Sequence, residues 1–124
     1  RFGALLDSSL DRVADGAVPI GLTVYFASRG WVAALPAAAL LASLWVPYIR
    51  ARTQSLGLEL PRLWMRREDR FVVLFAGLAA TALVGARLPD PDAPLILALA
   101  VIALLGGLAG LSALNAARRV DLTR

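Results

Sequence analysis

The chain has 124 residues, of which 59% are hydrophobic, and its mean hydropathy is +0.70. Soluble globular domains are typically about 45–50% apolar, so this composition indicates a membrane protein with one domain, residues 1–124. The absence of Cys and His excludes disulfides, thiolate nucleophiles, histidine bases and metals bound by cysteine or histidine. The net charge of +4 comes from arginines that lie between apolar runs, which favours membrane topology over nucleic-acid binding.

Four apolar segments predict an all-α integral membrane protein with four transmembrane helices. A helix crosses the hydrocarbon core in about 20 residues. The first predicted span reaches this length only when its opening turns include Asp7 and Asp11, and the third is slightly short. In chain order, the predicted spans are residues 3–28, 31–49, 71–86 and 94–117.

The charges of the connections predict the orientation in the membrane. The segment 50–70 carries six Arg against three acids, and the tail 118–124 carries three Arg against one acid. By the positive-inside rule both lie on the cytoplasmic side, which also places Asp7 and Asp11 at the cytoplasmic end of the first span. We therefore expect a multi-pass protein of the inner membrane whose carboxylates, loop and tail share one face.

Asp7, Asp11 and Asp15 recur every fourth residue at the start of the first span. On an α-helix this spacing places neighbouring carboxylates on one face, about 6 Å apart along the axis. Like charges near hydrocarbon are unfavourable, and a divalent cation would compensate them. Gly3, one turn before Asp7, leaves the backbone open to a ligand. The alternative is a solvated helix start in which Asp11 or Asp15 pairs with Arg12.

Arginines also cluster where the chain leaves the second span and enters the third, at Arg50, Arg52, Arg66, Arg67 and Arg70. The planar guanidinium binds phosphate through two hydrogen bonds, so these groups could form a pocket for a phosphorylated alcohol. The alternative is membrane topology combined with attraction to anionic lipid headgroups.

Two further features have structural interpretations. Gly106 and Gly110 form a G-x3-G pair in the last span, a spacing that permits close helix approach and is one hypothesis for a dimer contact. Aromatic residues near the span ends are predicted to be interfacial anchors, and Trp64 is predicted to lie on the membrane surface.

The run GALLDSSLD, residues 3–11, is a G-x3-D-x3-D pattern. Together with YIRAR at 48–52 and RREDR at 66–70, it resembles the CDP-alcohol phosphotransferases, in particular the branch that makes phosphatidylinositol phosphate. The first half of that family's signature, D-x2-D-G-x2-A-R, is not in this chain. The resemblance therefore implies the carboxy-terminal portion of a six-helix membrane enzyme, and we expect this portion to be inactive alone.

The resemblance also implies a reaction and roles for individual residues. The family binds two divalent cations, Mg²⁺ or Mn²⁺, against the diphosphate of CDP-diacylglycerol and transfers the phosphatidyl group to an alcohol with release of CMP. Asp7 would bind metal, and Asp11 would bind metal and also be the catalytic base that deprotonates the alcohol. Gly3 and Asp7 would contact the CDP moiety. Asp15 lies outside the signature and would orient Arg12.

The expected acceptor is inositol phosphate. Arg50 and Arg67, with Arg70 next, match the basic positions that bind it in the resembling branch. Relatives carry a further arginine in the last span where Ser112 or Ala113 stands here, which keeps glycerol phosphate or another alcohol open. The expected partners are this phosphorylated polyol, CDP-diacylglycerol, membrane lipids and a second copy in a homodimer, with no nucleic acid.

Two other classes of function are open from the sequence. An ion- or proton-translocating subunit would use intramembrane carboxylates near mid-span, whereas the acids here cluster at one end. A non-catalytic membrane subunit would need neither metal nor nucleotide.

Overall fold

The computed structural model describes residues 1–62 and 66–123, so the predicted surface position of Trp64 lies outside the described residues. Short 3₁₀ segments at Ala27–Ala33 and Gly85–Arg87 precede the second helix and follow the third. The described ranges contain no strand. Their α-helices are α1 (Phe2–Tyr25), α2 (Ala34–Ser55), α3 (Arg67–Val84) and α4 (Ala93–Leu122).

Three helical segments of the described chain are long and apolar enough to cross a membrane. They are Ala27–Ser55, Arg67–Arg87 and Ala93–Leu122, which contain the predicted second, third and fourth spans. Helix α1 has 24 residues, but four charged side chains between Asp7 and Asp15 reduce its apolar character. The all-helical membrane class is therefore confirmed, whereas the first of the four predicted spans stays a prediction.

The starts of α3 and α4 have local causes. The Asp69 carboxylate accepts a hydrogen bond of 2.8 Å from the backbone N–H of Arg66, which satisfies one of the donors that a helix start leaves unpaired. Pro94 lies in the first turn of α4, where its missing N–H costs no helical hydrogen bond. Because α3 begins at Arg67 and not at Phe71, Arg67 and Arg70 belong to its first turn, and Arg66 is the residue that caps it.

Helix α4 is central in the described bundle, because it packs against both α2 and α3, while α1 packs against α2. Large apolar side chains also remain exposed on the outside, as a surface in contact with lipid requires. The buried core where the helices meet includes Val46, Ile49, Leu74, Leu95, Leu99 and Ile102.

Glycines allow α2 and α4 to approach closely. A Cβ added at Gly106 would lie 2.8 Å from the Cβ of Ala42, and one added at Gly110 would lie 2.6 Å from the ring of Trp45. Real Cβ atoms do not approach other atoms this closely, so the crossing depends on the absence of a side chain. The G-x3-G pair is thus covered by α2 of the same chain, which corrects the hypothesis that it forms a dimer contact.

A cluster of polar side chains joins the two connections at the end of the bundle where α1 finishes. Arg29 donates to both carboxylate oxygens of Asp90, at 2.6 and 3.2 Å, and the hydroxyl of Tyr25 donates to Asp92 at 3.1 Å. The hydrogen bond from Arg29, followed by one from the backbone N–H of Asp92, holds the pKa of Asp90 below its usual range. The sequence places these charges in separate loops and does not predict their pairing.

Replacing Gly106 by Ala is expected to destabilise the protein by about 1–3 kcal/mol, because the added methyl group overlaps Ala42. Gly107→Ala is the matched control on the same helix. An added Cβ there has no atom within 4 Å, and Ala has the higher helix propensity, so we expect a neutral or slightly stabilising effect. Thermal unfolding in detergent measures both variants, and equal melting temperatures would contradict the close crossing.

The Arg29–Asp90 pair is expected to stabilise the fold in a pH-dependent way. Because the folded pKa of Asp90 is lowered, the contribution is present above the unfolded pKa of about 3.9 and is lost as the pH falls through the folded value. Wild type should therefore exceed Asp90→Asn in melting temperature by more at about pH 6 than at about pH 3. A difference that does not change with pH would argue against this pairing.

Candidate active site

The G-x3-D-x3-D run lies in the first turns of α1, so Gly3, Asp7 and Asp11 follow one side of a continuous helix. Gly3 and Asp7 are exposed, and a Cβ added at Gly3 would meet no atom within 4 Å. The side chain of Asp11 is 40% exposed. The backbone and carboxylates at this end of α1 are therefore accessible to a ligand.

One turn further along α1, Asp15 is a buried carboxylate whose side chain is only 4% exposed. The Nε of Arg67 donates to its Oδ1 at 2.7 Å, and the Nη2 of Arg12 lies 3.3 Å from its Oδ2. The second contact is an ion pair without hydrogen-bond geometry. The predicted neighbour, Arg12, is thus beside Asp15, but the shorter contact comes from Arg67, 52 residues away.

Arg67 joins this buried carboxylate to Asp11. Its Nη1 lies 3.4 Å from the Oδ1 of Asp11, while its Nε is bound to Asp15. The guanidinium carbon also lies 4.9 Å from the centre of the Phe71 ring, a favourable cation–π distance. These contacts attach the start of α3 to the carboxylate face of α1.

A cavity of about 610 Å³ opens beside these contacts and is lined mainly by arginines. The predicted acceptor residues Arg50, Arg67 and Arg70 line it together, although they come from two helices. Glu68 also lines it and supplies a negative charge. The arginines of the lining are Arg12, Arg50, Arg62, Arg66, Arg67 and Arg70.

The charge of this cavity suits an anion. Arg70 is only 6% exposed, which is unusual for arginine and shows that part of the positive charge is held out of bulk water. Guanidinium groups that face one cavity repel each other, and a phosphate that accepts hydrogen bonds from two or more of them relieves this repulsion. Binding of a phosphorylated molecule is therefore the chemistry that the cavity favours.

Sequence reasoning did not select Arg62, which the structure adds to the cavity. The Arg-rich composition of the segment 50–70 indicates that arginines are available for such a cavity, but it does not indicate which of them line it. Neither Ser112 nor Ala113 is in this lining. Ala113 is fully buried in the core, and Ser112 lines a separate groove of about 600 Å³ that also contains Arg119.

Asp7 and Asp11 could supply some of the ligands of a divalent-cation site. The described residues contain no group of three or more acids that could hold a metal ion. The two carboxylates nevertheless offer the oxygen ligands that Mg²⁺ and Mn²⁺ prefer, next to the open backbone at Gly3. A complete site would need further oxygen ligands besides these two side chains.

Known proteins similar to this chain are enzymes of phospholipid synthesis, although no family model matches it. The chain is 36% identical over 104 residues to phosphatidylinositol phosphate synthase of Mycobacteroides abscessus, which covers 81% of this chain and 47% of that protein. It is 34% identical over 125 residues to phosphatidylinositol phosphate synthase of Cutibacterium acnes, which covers 96% of this chain and 60% of that protein. The chain thus spans roughly half the length of the curated relatives it matches.

The fold is also similar to a solved structure. The crystal structure of Mycobacterium tuberculosis phosphatidylinositol phosphate synthase with CDP-DAG bound matches with a TM-score of 0.78 and 27% sequence identity. The match covers 94% of this chain and 59% of that one. The arrangement of helices described above is therefore shared over nearly the whole chain.

Removing the Arg67 side chain is expected to lower the free energy of unfolding by about 1–3 kcal/mol, because the buried Asp15 carboxylate loses its hydrogen-bond donor. Arg50→Ala is the matched control, since Arg50 lines the same cavity but has no ion pair in the described part of the chain. Unfolding of Arg67→Ala and Arg50→Ala in detergent measures the two losses. Equal losses would contradict a stabilising role for the contact with Asp15.

Proposed function

We propose that this chain, which belongs to the CDP-alcohol phosphotransferase family, is part of a membrane enzyme that transfers a phosphatidyl group from CDP-diacylglycerol to inositol phosphate. The observation that carries the proposal is the cavity in which Arg50, Arg67 and Arg70 meet beside Asp11. The names of the homologues support the same reaction, because they include synthases of phosphatidylinositol phosphate and archaetidylinositol phosphate.

The carboxylate face of α1 would bind the donor. Asp7 and Asp11 would hold the divalent cations that the family generally uses. When bound, Mg²⁺ or Mn²⁺ would neutralise the diphosphate of the donor and stabilise the charge that develops on the leaving CMP. The open backbone at Gly3 would leave room for the CDP moiety, and the acyl chains would stay in the bilayer.

The arginine cavity would bind the acceptor next to the base. Arg67 lines the cavity and also lies 3.4 Å from Asp11, so a phosphate held by these arginines brings the rest of the acceptor near that carboxylate. Asp11 would take the proton of the acceptor hydroxyl as its oxygen attacks the phosphorus that carries diacylglycerol. The bond from this phosphorus to CMP breaks, and its electron pair leaves with CMP.

Other expectations remain part of this proposal. The arginine-rich end of the bundle would face the cytoplasm, and the enzyme would be a homodimer in the inner membrane. Glycerol phosphate is an alternative acceptor, because arginines recognise the phosphate group and not the polyol. An ion-translocating subunit is less well supported, since the buried Asp15 is bound to Arg67, which lines the arginine cavity together with Arg70 at one end of the bundle.

The test measures CMP release from CDP-diacylglycerol by the intact natural protein, with inositol phosphate, glycerol phosphate or free inositol as acceptor. We expect turnover with inositol phosphate, its loss on chelation of divalent cations, and its recovery with Mg²⁺ or Mn²⁺. Asp11→Asn should lower kcat by about 100-fold or more, because the base is lost. Asp121→Asn, an exposed acid near the end of α4, is the control and should be active.

Two outcomes of this test would contradict different parts of the proposal. Turnover with glycerol phosphate alone would overturn the assignment of the acceptor. No CMP release with any acceptor, in the presence of Mg²⁺ and Mn²⁺, would overturn the reaction itself.

A further inference from the structure

Asp15 is an ionisable residue that the proposed reaction does not use. Its carboxylate is 4% exposed, and removal of an ionised carboxylate from water is strongly unfavourable unless charged donors replace the water. Arg67 and Arg12 provide that replacement from two helices. A buried apolar residue would avoid the loss of hydration altogether, so the presence of a charge here requires a reason beyond packing.

Both arginines that contact Asp15 also line the cavity. Arg67 uses Nε for Asp15 and Nη1 for Asp11, and neither contact uses Nη2. A guanidinium carries five N–H donors in one rigid plane, so a contact that fixes one edge also fixes the directions of the remaining donors. The ring of Phe71 lies against the same guanidinium and limits its movement further.

We infer that Asp15 is a positioning residue for the acceptor: it orients the guanidinium groups of Arg67 and Arg12 so that they bind the acceptor's phosphate beside Asp11. This inference rests on the proposed function, because it takes a phosphorylated alcohol to be the occupant of the cavity. Asp15 itself touches no substrate in this role. Its effect is to hold two long side chains in place before binding, which lowers the entropy lost when the phosphate arrives.

A purely structural tie between α1 and α3 is the competing explanation for the same contacts. Loss of such a tie would lower the melting temperature and would disturb donor and acceptor binding alike. Loss of a positioning residue would act mainly on the acceptor, because both arginines line the cavity, whereas of the proposed donor residues Gly3, Asp7 and Asp11 only Asp11 contacts one of these arginines. The ratio of the two KM values therefore separates the explanations.

The experiment compares Asp15→Asn, Asp15→Glu and the control Asp69→Asn in the intact natural protein. Asp69 is an exposed acid in the first turn of α3 that accepts from the backbone N–H of Arg66, so the control removes an equal charge near the cavity. The measurements are kcat, the KM for inositol phosphate, the KM for CDP-diacylglycerol, and the melting temperature. Inhibition by inorganic phosphate provides a probe of the arginines that does not depend on the polyol.

We expect Asp15→Asn to raise the KM for inositol phosphate by about tenfold or more, with kcat and the KM for CDP-diacylglycerol within about threefold of wild type. The inhibition constant of inorganic phosphate should rise in parallel. Asp15→Glu keeps the charge but moves it by one methylene, so it should show a smaller rise. Asp69→Asn should leave both KM values near those of wild type.

An acceptor KM that rises no more than the donor KM in Asp15→Asn would overturn the inference and leave the proposed function intact. If Asp15→Asn does not fold, Asp15→Glu decides in the same way, because an unchanged acceptor KM in that variant also overturns the inference. Wild-type protein that releases no CMP with inositol phosphate would overturn the proposed function, and this role of Asp15 with it.

Discussion

The hydrogen bond between Arg67 and the buried carboxylate of Asp15 is the contact on which the arrangement of the candidate site depends. It joins α1, which carries the acidic face, to the first turn of α3, which carries two of the six arginines of the cavity. In a membrane protein an ionised carboxylate that is shielded from water is unfavourable unless it is paired with a charged or hydrogen-bonding group. The position of Arg67 on α3 satisfies Asp15, and the same side chain then reaches Asp11.

The electrostatics of the site follow from this contact. Arg67 of α3 attracts the carboxylates of Asp11 and Asp15 on α1. The six arginines of the cavity carry more positive charge than these acids and Glu68 can neutralise. The remaining positive charge lies on the cavity side, and the accessible carboxylates lie toward the start of α1. One end of the bundle thus offers an acidic surface suited to cations next to a basic cavity suited to phosphate.

The bundle is held together by apolar packing between helices and by ion pairs between the connections at the end opposite the candidate site. Between α2 and α4 the absence of side chains at Gly106 and Gly110 permits close packing, in keeping with the small residues that membrane helices use for association. At the far end, Arg29 and two aspartates join the connections through exposed ion pairs, which contribute less than buried ones because water screens them. The polar site therefore lies against the apolar core, whose residue Val46 also lines the arginine cavity.

Much of this protein follows from local features of its sequence. Apolar runs longer than a membrane is thick predict helices, and a four-residue repeat of aspartates predicts one acidic helix face, because both depend only on the rise and turn of an α-helix. The first of the four spans stays a prediction, because the charges that form the acidic face also reduce the apolar character of α1.

Tertiary structure decided which charges meet and which glycines are covered. Arg67 pairs with Asp15 across 52 residues, Arg62 joins the cavity, and Gly110 packs against Trp45 within the chain. Such contacts depend on how helices cross and rotate, and many arginines have the same local pattern whether they face a cavity or water. Sequence by itself determined the membrane class and the chemistry available at one end of the bundle. Only packing between helices determined which of these groups act together.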